Sequence, residues 1–166
     1  MTSITTIAPG RGPYEKDVSV LAMSATAVSC AADTAENTLA TYTLVGYTMG
    51  PRASIRIKAE WSYTGSANAK TLRIKFGGTD FLSVGDTAPA NTSAIGECQI
   101  YNRGSQSSQR GSGTVISNGA TVFAGTVQTA TVDTSAAVTI LITGQKASAG
   151  ETLTLESYTI EILKVP

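Results

Sequence analysis

Histidine is absent from all 166 residues of the chain. That removes the commonest general base, excludes Ser-His-Asp and Cys-His catalysis, and leaves no imidazole to ligate zinc or non-haem iron. Charge is scarce too: charged residues make up 14% of the chain, where about a quarter is usual, and 12 acids balance 12 bases. A chain of zero net charge has no global field to gather nucleic acid or an anionic membrane, so neither is expected as a partner. Cys30 and Cys98 stand alone, without a CxxC pair or metal-ligand spacing, and read as small hydrophobes rather than a bridge. No apolar run approaches the roughly 20 residues of a membrane helix. Met1 to Ile7 lacks the basic and apolar regions of a secretory signal, so synthesis in a cytoplasm without export by that route is expected.

Carboxylate pairs are the surviving catalytic option, as in glycoside hydrolysis. Asp80 and Asp86 bracket one short strand, and Glu156 and Glu161 lie on the last one. Nothing in the sequence sets either pair across a sugar, so no catalytic residue, cofactor or metal site is assigned and a small-molecule ligand is not expected. Gly77-Gly78-Thr79 lacks the Lys-Ser/Thr of a phosphate loop and reads as a turn, as does Gly111-Ser112-Gly113. Arg103 and Arg110, with the small polar residues between them, read as a polar loop rather than a phosphate groove. No acidic run matches an EF-hand.

What the chain does have is alternation. Ile55, Ile57, Ala59, Trp61 and Tyr63 share one phase, with Ser54, Arg56, Lys58, Glu60 and Ser62 on the other. Leu72, Ile74 and Phe76 then alternate with Thr71, Arg73 and Lys75. Period two marks strands with one buried and one solvated face. The two runs predict a long antiparallel hairpin over Ser54 to Thr79, with Thr64 to Lys70 as its loop and Trp61 and Tyr63 in the core. Further strands are predicted at Val18–Val28, Asn37–Val45, Phe81–Val84, Ile95–Arg103, Thr114–Ser117, Thr121–Val132, Ala136–Thr143 and Thr152–Val165. Asn118-Gly119 is a hairpin-turn signal. In the last strand Leu153 and Leu155 fall out of phase with Tyr158, Ile160 and Ile162, which predicts a β-bulge near Glu156 or Ser157.

Eight or nine short strands without an amphipathic helix predict an all-β, two-sheet jelly-roll sandwich of antiparallel strands, spanning residues 17–166. An immunoglobulin-like sandwich is the rival, but no Tyr sits two residues before Cys98. Residues 1–16 contain Pro9, Gly10, Gly12 and Pro13 and predict an extended N-terminal arm that orders only on docking. Along Thr121–Val132, Val122, Ala124, Ala130 and Val132 oppose Phe123 and Val127. One of these half-apolar faces is expected to serve the core and the other a subunit contact, with Val122, Phe123 and Val127 as the candidate contact residues.

The segments Asn68–Thr79, Glu36–Thr43 and Ser105–Gln109, with Arg103, resemble the jelly-roll domain of tailed-bacteriophage virion proteins. The resemblance spans Glu36 to Pro166. Such domains occur in capsid decoration proteins, head fibres and tail-fibre tips, often as trimers. The resemblance implies a non-enzymatic capsid decoration (cement) protein on the capsid surface of the virion. It would be a homotrimer whose arm, through Ile4, Ile7, Pro9, Arg11 and Pro13, docks on the major capsid protein. The alternative is a tail-fibre or spike tip that binds host surface glycan through Ser83–Ala94 or Gly104–Gly113.

Overall fold

A computed structural model describes residues 17–118, 120–125 and 127–164 of the chain. The described residues form twelve strands: β1 (Asp17–Ser24), β2 (Val28–Ser29), β3 (Asn37–Leu44), β4 (Ser54–Tyr63), β5 (Lys70–Phe76), β6 (Thr79–Asp86), β7 (Ser93–Asn102), β8 (Gln109–Ser117), β9 (Ala120–Ala124), β10 (Gln128–Ala130), β11 (Val138–Lys146) and β12 (Leu153–Lys164). The larger sheet runs β1-β12-β4-β7-β8-β10, with β2 also on β12 and β9 also on β8; the smaller runs β3-β11-β5-β6. Both are antiparallel throughout. The interleaved orders β2-β12-β4-β7 and β3-β11-β5-β6 are those of a jelly roll, with β8 to β10 inserted as an extension of the larger sheet.

The expected bulge is present and explains why the strands outnumber the prediction. Leu155 pairs with Trp61 and Ser157 with Glu60, leaving Glu156 as the extra residue. On the other side of β12 the same irregularity divides the neighbouring strand: β1 pairs with residues 158–164 and β2 with 154–155. The predicted Val18–Val28 strand is therefore two, broken where the Ser24 hydroxyl accepts the Thr26 N–H at 3.1 Å. The predicted Thr121–Val132 strand is likewise β9 and β10, both laid against β8.

The Ser54–Thr79 hairpin is not formed. β4 pairs with β12 and β7, while β5 pairs with β11 and β6, so residues 64–69 cross between sheets. Two strands with one apolar face each can bury those faces by lying side by side or by facing each other, and alternation alone does not distinguish the two. The actual hairpin is β5–β6. It is closed by Gly77 and Gly78 at φ 56° and 86° between the paired residues Phe76 and Thr79. Positive φ at both central residues is the turn that matches strand twist.

The core lies between the sheets, filled by Trp61, Phe76, Phe81, Leu72, Leu82, Ile55, Ile57, Ile74 and Ile100. Trp61 and Tyr63 are buried, as predicted. Gly111-Ser112-Gly113 is not a turn but part of β8. Its glycines face inward because the opposing side chains occupy the space a Cβ would need. A Cβ on Gly111 would stand 2.9 Å from Phe81 Cδ1, one on Gly113 2.7 Å from Leu82 Cδ1, and one on Gly96 2.8 Å from Trp61 Cζ3. Cys98 is buried and Cys30 half-buried, and both are free thiols.

Candidate interaction surfaces

The four carboxylates considered for catalysis are all held by neighbours. Asp86, at the buried end of β6, accepts hydrogen bonds from Tyr63 Oη at 2.6 Å, Asn91 Nδ2 at 2.8 Å and the Ala88 N–H at 2.9 Å. Burial pushes its carboxyl up, but the hydrogen bonds from Tyr63, Ala88 and Asn91 outweigh this and hold it below the usual range. Asp80 lies on the other side of the smaller sheet, 3.8 Å from Arg73 Nε and 3.6 Å from Lys75 Nζ. Asp80 and Asp86 thus face opposite sides and share no cleft. Glu156 accepts from Ser62, and Glu161 is held by Arg56 Nε at 2.8 Å. Five residues of strand separate Glu156 from Glu161 by about 16 Å, whereas glycosidase pairs stand roughly 5–9.5 Å apart. Among the described residues no group of histidine, cysteine or carboxylate side chains could hold a metal ion.

The outer faces of the two sheets differ in chemistry. On the smaller sheet Glu36, Arg73, Lys75 and Asp80 form a connected ion network, extended by Thr143 donating to Glu36 at 2.6 Å and by Arg73 donating to Gln145 Oε1 at 3.1 Å. Burial raises the Glu36 carboxyl, yet hydrogen bonds from Lys75 and Thr143 outweigh it and the net shift is downward. No strand of this sheet carries a large apolar side chain exposed to solvent. The larger sheet has a charged middle, where Arg56 meets Glu161 and Lys58 meets Glu60 at 3.5 Å. That middle lies between two exposed apolar patches. Val18, Val20 and Met23 form one on β1; Ile95 and Ile116, directly opposite each other on β7 and β8, form the second.

At one end of the sandwich two clefts lie side by side. Tyr101, Arg103, Arg110, Ser112 and Val127 line one of about 290 Å³. Tyr47, Pro51, Arg52 and Lys164 line the other, of about 420 Å³. The Gly104 N–H donates to the Pro51 carbonyl at 2.9 Å and ties the two loops together. Tyr101 and Arg110 are cross-strand partners, so Arg110 belongs to β8 and not to the polar loop read from the sequence. Tyr47 is 74% exposed and sits at φ 63°. A bulky residue there is a genuine backbone outlier, costing on the order of 1–3 kcal/mol.

Of the residues expected to make contacts, Val127 is exposed and lines the first cleft. Phe123 is in register with Val115, and Val122 falls at a register shift between β8 and β9. The arm residues Ile4, Ile7, Pro9, Arg11 and Pro13 lie outside the described residues. Residues 87–92 and 103–108, within the two glycan-contact segments of the alternative, enter and leave β7 and so stand at opposite ends of the sandwich, about 33 Å apart. Only the Gly104–Gly113 segment reaches the clefts. Tyr47, Arg52, Tyr101 and Lys164 were not legible as surface groups, because alternation sets a residue's phase but not which strand ends meet.

No protein-family model and no characterised relative matches the sequence. Similar solved structures include the CBM2 module of the evolved Dit of Lactobacillus casei BL23 phage J-1, at 11% identity and TM-score 0.37, covering 76% of this chain and 69% of that one. Ulex europaeus lectin I, solved with the methyl glycoside of α-L-fucose, gives 8% identity and TM-score 0.45, covering 89% and 91%. Peanut lectin gives 11% identity and TM-score 0.40, covering 98% and 97%. At such identities and TM-scores no residue role passes from these proteins to this chain.

Proposed function

We propose that this chain is a structural virion protein that works by surface contact rather than catalysis: a capsid decoration protein that assembles as a homotrimer and docks on the major capsid protein through residues 1–16. The observation that supports self-association is the contrast between the two outer faces. The smaller sheet satisfies its own charges, whereas the larger sheet leaves two separate apolar patches in water. Contiguous exposed apolar surface marks interaction sites. In a head-to-tail arrangement Val18, Val20 and Met23 of one copy pack on Ile95 and Ile116 of the next, and a rotation that closes gives a ring. Trimerisation then multiplies weak arm contacts by effective concentration.

The test is the mass in solution with capsid binding measured beside it. Light scattering after gel filtration is expected to give three chains for the wild type and one for Ile116→Lys or Val20→Lys. Deleting Met1 to Pro13 is expected to abolish binding to purified capsids while leaving the trimer intact. A monomeric wild type, or capsid binding that survives the deletion, overturns the corresponding half of the proposal.

A second reading, a tail-fibre or spike tip that holds host glycan, is favoured by one observation: the exposed Tyr101 shares a cleft with Arg103 and Arg110, neither of which has an ion pair among the described residues. Copy number per particle separates the two, since a shell protein is present in far more copies than a tail component.

A further inference from the structure

We propose that the end of the sandwich bearing Tyr47, Arg52, Tyr101, Arg103, Arg110 and Lys164 binds an acidic polysaccharide, one carboxylated sugar ring in each cleft. The inference rests on the second reading above, that this end takes a glycan, and is independent of the trimer.

The cations of the described residues divide cleanly. Arg56, Lys58, Lys70, Arg73 and Lys75 each meet a carboxylate. Lys146 donates to two backbone carbonyls, each at 2.8 Å. Those left without a side-chain partner among the described residues are Arg52, Arg103, Arg110 and Lys164, and all line the two neighbouring clefts. In a chain with few charges and no net charge, that segregation is a local field with a sign.

Each cleft repeats one arrangement, an exposed tyrosine beside two cations. A tyrosine ring offers a flat apolar face to the C–H side of a pyranose, and a guanidinium fork matches a carboxylate with two parallel hydrogen bonds. Volumes of about 290 and 420 Å³ suit single sugar rings and not the breadth of a duplex. The Gly104 to Pro51 hydrogen bond fixes the spacing between clefts, as a polymer with regular repeats requires. Tyr47 is held outward at φ 63°, a conformation its side chain disfavours, and such outliers concentrate where a ligand is met. Of the acids near this end, Asp133 is turned to its own loop by Ser135 and lines neither cleft, and Asp17 is the cross-strand partner of Lys164.

The probe is an α-1,4-linked galacturonate trimer, titrated calorimetrically into the full chain beside its methyl ester, neutral maltotriose and a single-stranded DNA oligonucleotide. Saturable binding of the acid trimer is expected, with the ester and maltotriose at least tenfold weaker. Arg110→Gln and Tyr101→Ala are each expected to lower affinity at least tenfold with thermal midpoints unchanged, since both side chains are exposed. Arg52→Gln is expected to weaken the trimer while leaving monomeric galacturonate at the Tyr101 cleft unaffected. Equal binding of maltotriose leaves the glycan reading standing and overturns the acidic class. Tighter binding of DNA with no effect of Tyr101→Ala overturns the saccharide in favour of a phosphate backbone. If no saccharide binds at millimolar concentration, the inference and the second reading fail together.

Discussion

Lys70 and Lys146 are direct partners across β5 and β11, both almost fully buried, and one residue, Glu151, serves both. Its carboxylate stands 3.0 Å from Lys70 Nζ, and its backbone carbonyl accepts from Lys146 Nζ at 2.8 Å. Two like charges placed opposite each other are costly in a sheet unless each is separately satisfied. Ser66 Oγ and the Asn68 carbonyl complete the shell of Lys70, and the Ala31 carbonyl that of Lys146. This network pins the crossover between sheets, which alternation could not place.

Breaking one half of a buried pair strands the other charge, whereas an apolar replacement of similar shape is often tolerated. Urea unfolding at pH 7 is therefore expected to rank Glu151→Ala as more destabilising than Lys70→Met. The reverse order would mean that Lys70 finds water in the native state.

Hydrogen bonds from Ser66, Asn68 and Lys70 hold the Glu151 carboxyl down at about 2. A folded-state value below the unfolded one contributes stability above the unfolded value, and that stability is lost as pH falls toward the folded value. Stability is expected to be level from neutrality to about pH 5 and to decline between roughly 4.5 and 2. Glu151→Gln should start lower and decline less over that window. Parallel curves for the two proteins would remove Glu151 from the acid transition.

Burial pushes the Cys98 thiol up to about 12, with Glu97 adding to it. Burial also raises Cys30, against the opposing pull of Lys146. Only a thiolate reacts readily with a disulfide reagent. At pH 8 the native protein is expected to show no fast thiol, and two should react after unfolding. Rapid native labelling of Cys98 would show that β7 opens locally.

The parts legible in the sequence were those that one strand decides alone. The phase slip at Glu156 is written in the positions of Leu155, Ile160 and Ile162, and the structure places the bulge there. The burial of Trp61 and Tyr63 follows from their own period. Pairing is a relation between strands, so β4 and β5, adjacent in sequence, could be assigned to one sheet when they belong to two. Gly111 and Gly113 read as turn residues because their reason for being glycine, Phe81 and Leu82, lies across the core. Arg110 read as loop for the same reason, as its partner Tyr101 stands on another strand.

Those inward glycines give a graded stability series. Gly111→Ala would place a Cβ 2.5 Å from the Gln99 carbonyl oxygen, which is backbone and cannot swing aside. At Gly113 the nearest atom is Leu82 Cδ1 at 2.7 Å, a side-chain end with some freedom. Overpacking costs typically about 1–3 kcal/mol. Gly111→Ala is expected at or above the top of that range and Gly113→Ala within it. Gly50→Ala, where nothing lies within 4 Å, is expected to be close to neutral. Equal midpoints for all three in denaturant would show that β8 shifts freely as a unit.

Tyr47 joins stability to the proposed site. Its ring is largely in water, so replacing it forfeits little packing, while its φ of 63° is one that glycine or asparagine adopts at lower cost. Tyr47→Asn is expected to leave stability unchanged or raise it by up to about 1 kcal/mol. The same variant is expected to weaken the acid trimer by removing the ring of the second cleft. A protein gains nothing structural from a strained, exposed tyrosine, so a gain in stability coupled to a loss in binding would identify the strain as serving the ligand. Loss of stability on Tyr47→Asn would instead assign the ring a packing role and remove the second cleft from the site.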